Sequence, residues 1–471
     1  MSTVDSPSAY PELQLGCLAP AAPVGDILAR VERVVADGVR RLDRVADVVR
    51  RNRVVLLAAH NLDGTTHPTG AALVAELAPF VADRRRRAEA LVRTEELLER
   101  LGVALGIPVW GIKGLASRAG YPDPALRELR DADVAVAGAD EAFALAEELR
   151  GHGYDTDHAE LPWIKHDAGG TPYGQYKLTG PDGHSAVDIH FGPGYSAGHC
   201  GLLPVPAPTE PGLRPLPILA NLRPMTGNSG GDVHVTVKDV NDLWTAAKVL
   251  DPESAAALVR DARAAALHGH LAGIARLTAE ITSVDRDQRE VLDVLVRAAA
   301  GRAGRPVVAT GLMSRTAPVR VLRTTGRAYA QARAHTRSVP VRVAAAVTAF
   351  AFYVVNARPR VVTAPVLTRR PAPWRCVRLV PVGLAETLDR RGPDAASQWE
   401  GDRLGSAAPR PAGGGPRRES LRWTTDRTVL AYNDTVFVST VWGVLPRAVV
   451  RSAAVGPEQR RPAHTVAGAA E

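Results

Sequence analysis

In Leu129-Arg130-Asp131-Ala132-Asp133-Val134-Ala135-Val136, two acids flank one small residue at the head of a short β-branched run. A strand sends alternate side chains to opposite faces, so Asp131 and Asp133 project to the same side, about 7 Å apart. That spacing suits carboxylate oxygens holding a divalent cation. A third acid stands in Ser185-Ala186-Val187-Asp188-Ile189-His190-Phe191, which also reads as a strand. There Val187 and Ile189 face a core, and Asp188 and His190 take the other side.

Outward from these strands the pattern alternates between sheet and helix. Ile107-Pro108-Val109-Trp110-Gly111-Ile112 reads as a short strand ending at Lys113-Gly114, with a helix starting at Leu115. Tyr121-Pro122-Asp123-Pro124 breaks that helix. A helix over about 140–150 ends at Gly151 and Gly153, and 173–179 with 184–191 forms a hairpin about Gly180-Pro181-Asp182-Gly183. Upstream, apolar residues at three- and four-residue steps predict a helical stretch from Val24 to Leu57 and a longer helix from about Gly70 to Leu105, with Arg84 to Arg87 on or near its exposed surface. Downstream, helices are expected over 238–300 and a hairpin over 428–440 turning at Asn433-Asp434.

The 471 residues exceed one ordinary core, which favours two or three domains. The divisions are a loose arm at 1–24, a helical region at 25–106, a mixed core at 107–232, trailing helices at 233–300 and an arginine-rich region at 301–471. Cys17, Cys200 and Cys376 lie far apart without metal-knuckle spacing, so a reducing compartment, the cytoplasm, is expected. The N-terminus has no basic segment followed by an apolar one, so no signal peptide is expected. The longest apolar run, Val343 to Val355, is too short to span a bilayer and reads as a buried helix, or as an interfacial one given its flanking arginines.

The net charge of +8 hides an asymmetry. Residues 301–471 carry 27 Arg, no Lys and 10 acids, or +17, leaving −9 for 1–300. An anionic partner for the C-terminal half follows from that balance, as does plain compositional bias.

Three Asp-x-Asp pairs occur: Asp131/Asp133, Asp155/Asp157 and Asp285/Asp287. The last falls in a helical stretch, where residues two apart do not share a face, and the second in a turn. Only the first has strand context.

Trp110-Gly111-Ile112-Lys113-Gly114, Tyr121-Pro122-Asp123-Pro124 and Arg127-Glu128-Leu129-Arg130-Asp131-Ala132-Asp133-Val134, in that order, resemble the uncharacterised nucleotidyltransferase family. That family belongs to the DNA-polymerase-β-type nucleotidyltransferase superfamily. Gly153-Tyr154 and Asp188-Ile189-His190 match its later motifs, and the resemblance runs over roughly 25–285. It implies an α+β fold, a small mixed β-sheet nucleotidyltransferase core with flanking α-helices, followed by a poorly defined C-terminal region.

The implied chemistry is transfer of a nucleoside monophosphate from a nucleoside triphosphate (NTP) to an acceptor hydroxyl, with Mg²⁺ or Mn²⁺. Asp131, Asp133 and Asp188 are the expected catalytic and metal residues. Lys113, Gly114 and Arg127 are the expected nucleotide-binding ones: Lys113 as a charge for the leaving pyrophosphate, Gly114 as a close backbone approach. Structural readings stand beside these: Lys113 as a strand-end lysine lying along apolar surface, Arg127 as a brace in an ion pair, His190 as a hydrogen-bonded structural histidine. Where the superfamily has Gly-Ser at the strand-to-helix turn, this chain has Lys113-Gly114, with Ser117 one turn on. Asp157, His158, Lys165 and His166 are candidates to line an acceptor site. The acceptor is a small molecule, a peptide or a protein hydroxyl. Sparse aromatics argue against nucleic acid. The rival readings are a non-catalytic binding or regulatory protein of the same fold, and an adaptor acting through the basic C-terminal half.

Overall fold

The computed structural model describes residues 15–17, 24–36, 42–156, 161–166, 172–192, 209–222, 234–235, 237–264 and 268–297. Beyond 300 it describes short pieces, of which 377–391, 421–423, 429–432 and 435–440 contribute to the main sheet or flank it. The architecture is mixed α+β, as expected.

Helices α1 (Val24–Ala36), α2 (Leu42–Arg51) and α3 (Val55–Asn61) lead into α4 (Pro68–Leu105). The helical stretch expected to reach Leu57 breaks at Asn52–Val54. Asn52 Nδ2 donates back to Val48 O at 2.8 Å, and Arg53 takes a left-handed φ of 56°. Helix α4 opens on Pro68, where a missing N–H costs nothing, and closes on Gly106 with φ of 61°. It serves two cores. Leu73 and Leu77 pack with α1–α3 and the trailing helices, whereas Leu91, Leu98 and Leu101 pack against the sheet.

Arg84, expected on or near the exposed surface of α4, turns inward. Its side chain is 16% exposed and its Nε lies 3.2 Å from the buried Glu128 carboxylate, for which it is the nearer counter-charge.

The core strands are β1 (Pro108–Gly111), β2 (Asp131–Val136), β3 (Asp155–Thr156), β4 (Trp163–His166), β5 (Pro172–Thr179), β6 (Ala186–Phe191) and β7 (Gly212–Pro215). Helix α5 (Gly114–Ser117) follows β1, and α6 (Ala139–Gly151) follows β2. The trailing helices are α7 (Val237–Ala247), α8 (Pro252–Ala264), α9 (His268–Ile281) and α10 (Arg286–Arg297). Strand β8 (Val377–Pro381), helix α11 (Val382–Arg391) and strands β9 (Arg422–Trp423), β10 (Val429–Tyr432) and β11 (Thr435–Thr440) complete the picture.

The main sheet runs β9-β10-β11-β8-β4-β5-β6-β2-β1-β7, with β3 on β5. The pairs β2/β6 and β1/β7 are parallel and the rest antiparallel, so the sheet is mixed. The hairpin expected to turn at Asn433-Asp434 is β10/β11, with Tyr432 opposite Thr435. Strand β8 then pairs with the outer edge of β4, so that edge is covered rather than left to recruit another chain.

One sheet face is apolar. Ala132, Val134 and Val136 of β2, with Val187, Ile189 and Phe191 of β6, pack beneath α4 and α6 around Phe143. The alternate residues face the other way and build the site. Of the apolar run expected to be a buried helix, Val343, Val347 and Phe350 are exposed, in line with Val339 at helical spacing. Such spacing gathers them on one face, and no other residue of that run is in the buried core among the described residues. Among the described residues no helix is long and apolar enough to cross a membrane.

Candidate active site

Strand register brings the acids together. In the parallel β2/β6 pair, Asp133 lies opposite Asp188 and Ala135 opposite His190. In the β5/β6 hairpin, Lys177 lies opposite Asp188 and Gln175 opposite His190. One face of three adjacent strands thus carries Asp131, Asp133, Asp188, His190, Gln175 and Lys177. Its base is dry: Asp188 is 5% and His190 2% exposed, because neighbouring side chains close over them.

Lys113 reaches into this cluster from the end of β1. Its Nζ donates to Asp133 Oδ1 at 2.6 Å and lies 3.0 Å from His190 Nε2. Its backbone is unusual for a residue with a side chain, at φ 52° and ψ −126°. Such a conformation costs of order 1–3 kcal/mol and persists only where the surroundings hold it. Asn221 does so: its Oδ1 accepts from Lys113 N at 2.5 Å and its Nδ2 donates to Lys113 O at 2.9 Å. Ser117 Oγ also donates to Lys113 O, at 3.0 Å. The serine one turn on is therefore tied to the turn itself.

Charge is balanced locally. Burial alone would raise the Asp133 carboxyl, but Lys113 and His190 outweigh it and hold Asp133 well below the usual carboxylate range. Asp188 is likewise lowered, burial being overcome by His190 and then Lys113. Asp131 is raised, by burial first and by the charge of Asp133 second, with Lys177 Nζ at 3.1 Å offsetting part of it. His190 is raised: burial and Lys113 push it down, and Asp188 and Asp133 win. Its Nε2 is contested, 3.3 Å from Asp133 Oδ1 and 3.5 Å from Asp188 Oδ2. Protonated, that nitrogen serves the carboxylates; unprotonated, it accepts from Lys113.

Ligating atoms of Asp133, Asp188 and His190 lie within 4.8 Å of one another. Asp131 stands outside that trio, drawn to Lys177. A polar relay supports Asp188: Trp163 Nε1 donates to Gln175 Oε1 at 3.0 Å, and Gln175 Nε2 donates to Asp188 Oδ2 at 2.6 Å. The other oxygen, Asp188 Oδ1, is buried without a hydrogen-bond partner. An orphan buried carboxylate oxygen is costly unless something cationic meets it. Two carboxylates and an imidazole are a donor set that Mn²⁺ accepts and that Mg²⁺ accepts through its oxygens.

Arg127 takes no part in this cluster. Its guanidinium grips Asp242 of α7 with two bonds, Nε to Oδ1 at 2.8 Å and Nη2 to Oδ2 at 2.6 Å. Tyr121 Oη also donates to Asp242 Oδ1, at 2.8 Å. Gly114 sits above that pair, and a Cβ there would stand 2.3 Å from Leu129 Cδ2 and 3.0 Å from Arg127 Nη2. Its smallness is demanded by packing beneath the turn.

Residues 40–199 match the family model described as uncharacterised nucleotidyltransferase. Over this stretch, which is less than half of the chain, the protein is similar to that family. No curated protein and no solved structure matches the chain significantly.

The matched nucleotidyltransferase-family segment holds Lys113, Gly114, Arg127, Asp131, Asp133, Asp188 and His190, and is shorter at both ends than the resemblance over 25–285. Asp242, the partner of Arg127, lies outside it. Gln175, Lys177, Trp163 and Asn221 are additions to the expected set. The first two are within reach of sequence reasoning, since the hairpin turn at 180–183 fixes which β5 residues oppose Asp188 and His190. Asn221 has no such signal. Asp157 and His158 lie outside the described residues, and of Lys165 and His166 only the backbone, paired with β5, is described.

Proposed function

We propose that the domain is a metal-dependent nucleotidyltransferase moving a nucleoside monophosphate from an NTP to an acceptor hydroxyl. The observation that carries this reading is the convergence of Asp133, Asp188 and His190, with Asp188 Oδ1 buried and unbonded. Asp133, Asp188 and His190 would hold Mg²⁺ or Mn²⁺, with Asp131 joining once Lys177 releases it. The ion, when bound, supplies Lewis-acid stabilisation of the charge that develops on the transferring phosphoryl group.

The protein's own groups do the rest. Gln175, held by Trp163, fixes the rotation of the Asp188 carboxylate by donating to Oδ2. The acceptor oxygen attacks the α-phosphorus, the bond to the β-phosphate oxygen breaks, and pyrophosphate leaves. The acceptor's proton would pass to the Asp188 carboxylate and from there to solvent. Lys113, which holds Asp133 in this structure, would offer its charge to the leaving pyrophosphate. The acceptor is a small-molecule, peptide or protein hydroxyl.

One observation favours a second reading, a non-catalytic binding protein of the same fold. Lys113 and Lys177 already neutralise Asp133 and Asp131. One experiment separates the two. The protein is incubated with each labelled NTP, Mg²⁺ or Mn²⁺ and a metabolite or protein extract, beside an Asp131→Asn/Asp133→Asn double variant. Label transfer by the wild type alone supports the enzyme. Neither binding nor transfer, with both proteins alike, sinks it.

A further inference from the structure

The chain between the end of α10 at Arg297 and the start of β8 at Val377 has a charge pattern of its own. Residues 301–385 contain 15 Arg, no Lys and no acid, or +15. Residues 386–471 contain 12 Arg and all 10 acids of the C-terminal region, or +2. Arginine is thus spread almost evenly over the two stretches, and a general preference for arginine does not account for the contrast. The exclusion of acids from the first stretch does. Cations at that density, with no acid among them in sequence, favour an anionic partner.

The same stretch carries an apolar face. Val339, Val343, Val347 and Phe350 are 54%, 47%, 44% and 43% exposed. They follow one another at steps of four, four and three residues. Arg342 N donates to Ser338 O at 3.2 Å, the i to i−4 bond of an α-helical turn. At about 100° per residue, the four side chains fall within an arc of about 80°. Seven large apolar residues stand exposed among the described residues, and four of them lie in these twelve positions. The other three, Val92, Val103 and Val249, lie at least eleven residues apart. Scattered exposed valines need no explanation, whereas a contiguous apolar stripe marks a contact surface.

Stripe and charge together select the partner. A nucleic-acid backbone meets the arginines but leaves the valines in water. The groove of an acidic protein covers the stripe, yet the acid-free arginines run from Arg302 to Arg375, far beyond one helix. A bilayer with anionic headgroups satisfies both. Guanidinium groups pair with lipid phosphates, and an apolar helix face sinks to the acyl boundary. The apolar run from Val343 to Val355 spans about 20 Å as a helix, short of the ~30 Å hydrocarbon core, so it suits the plane of the surface and not a crossing.

We infer that the stripe of Val339, Val343, Val347 and Phe350 docks on an anionic lipid bilayer, with arginines of the same acid-free stretch supplying the attraction to its headgroups. The inference stands apart from the nucleotidyltransferase reading.

Flotation of the full chain with lipid vesicles tests it. Wild type binds vesicles of phosphatidylglycerol and phosphatidylcholine in equal parts, does not bind phosphatidylcholine alone, and binds less as salt rises. Val343→Ser/Val347→Ser/Phe350→Ser weakens binding about tenfold or more, because the apolar contact is lost. Arg337→Gln and Arg358→Gln each weaken it roughly fivefold. Val343→Leu/Val347→Leu keeps or tightens it. The substituted apolar positions are exposed, so melting temperatures stay within a degree or two of the wild type, about the span of a surface change. Equal binding by the triple serine variant shows attraction by charge alone and overturns the docking surface. So does an RNA oligonucleotide or a second copy of the chain bound in place of vesicles. Vesicle binding that depends on the stripe, with no transfer from any NTP, leaves the surface standing and removes the enzyme reading alone.

Discussion

Asp133 and Asp188 are register partners on adjacent parallel strands, so their carboxylates leave the same sheet face side by side. Two like charges so placed in a dry site need a cation, and the chain supplies Lys113 and His190. Substitution of either acid therefore affects both ion binding and the internal ion pairs.

Divalent metal should raise the melting temperature of the wild type, Mn²⁺ at least as strongly as Mg²⁺ because His190 is among the donors. Asp133→Asn and Asp188→Asn should each abolish that rise and cut any transfer activity on the order of 100-fold or more. Differential scanning fluorimetry across a metal titration measures the first effect.

Asp131 behaves in the opposite sense to its neighbours. Its carboxyl is raised, so its charged form is disfavoured by folding, and the stability it contributes is complete below 3.8 and lost as pH rises through its folded value. Asp131→Asn should therefore leave the metal-free protein as stable or raise its melting temperature by about 1–2 °C at neutral pH. A clear loss of stability would contradict this account of the acid.

The pH profile of the metal-free protein carries two limbs. Asp133 and Asp188 are lowered, so their stabilisation is present above 3.8 and lost as pH falls through their folded values. His190 is raised, so its stabilisation is complete below 6.5 and lost as pH rises through its folded value. Melting temperature should be greatest between those limits, and His190→Gln should remove the alkaline limb of His190 and also weaken the acid limb, because His190 is the first cause of the lowered Asp188.

The Arg127–Asp242 pair joins the segment similar to nucleotidyltransferases to the trailing helices, with side chains 6% and 1% exposed. Asp242→Ala strands a buried guanidinium and should cost about 3–5 kcal/mol. Tyr121→Phe removes one neutral donor to a charged acceptor and should cost about 1.5–3 kcal/mol. Urea unfolding of the two variants checks the order: a Tyr121→Phe cost equal to that of Asp242→Ala would show that the ion pair is not the main tie.

Much of this site is legible in the order of residues alone. Period-two alternation puts Asp131 with Asp133, and Asp188 with His190, because a strand's facing is a local property of its backbone. Lys113-Gly114 is marked by the strand that ends there. The break at Asn52–Val54 is not marked, since the apolar spacing of α2 continues across it into α3. Arg84 reads as solvated because its helix gives no sign of Glu128, a residue on another element.

What the sequence by itself determined is the composition of the face: which acids, which histidine, and which side of each strand they share. Only the tertiary structure decided the pairings. It set Asp133 against Asp188 rather than Asp131, gave Asp131 to Lys177, and gave Arg127 to an aspartate 115 residues further on. It also brought Lys113 between Asp133 and His190. The physical reason is range. Side-chain facing follows from neighbouring dihedrals, whereas partners across strands and helices depend on a register and a packing angle to which distant segments contribute.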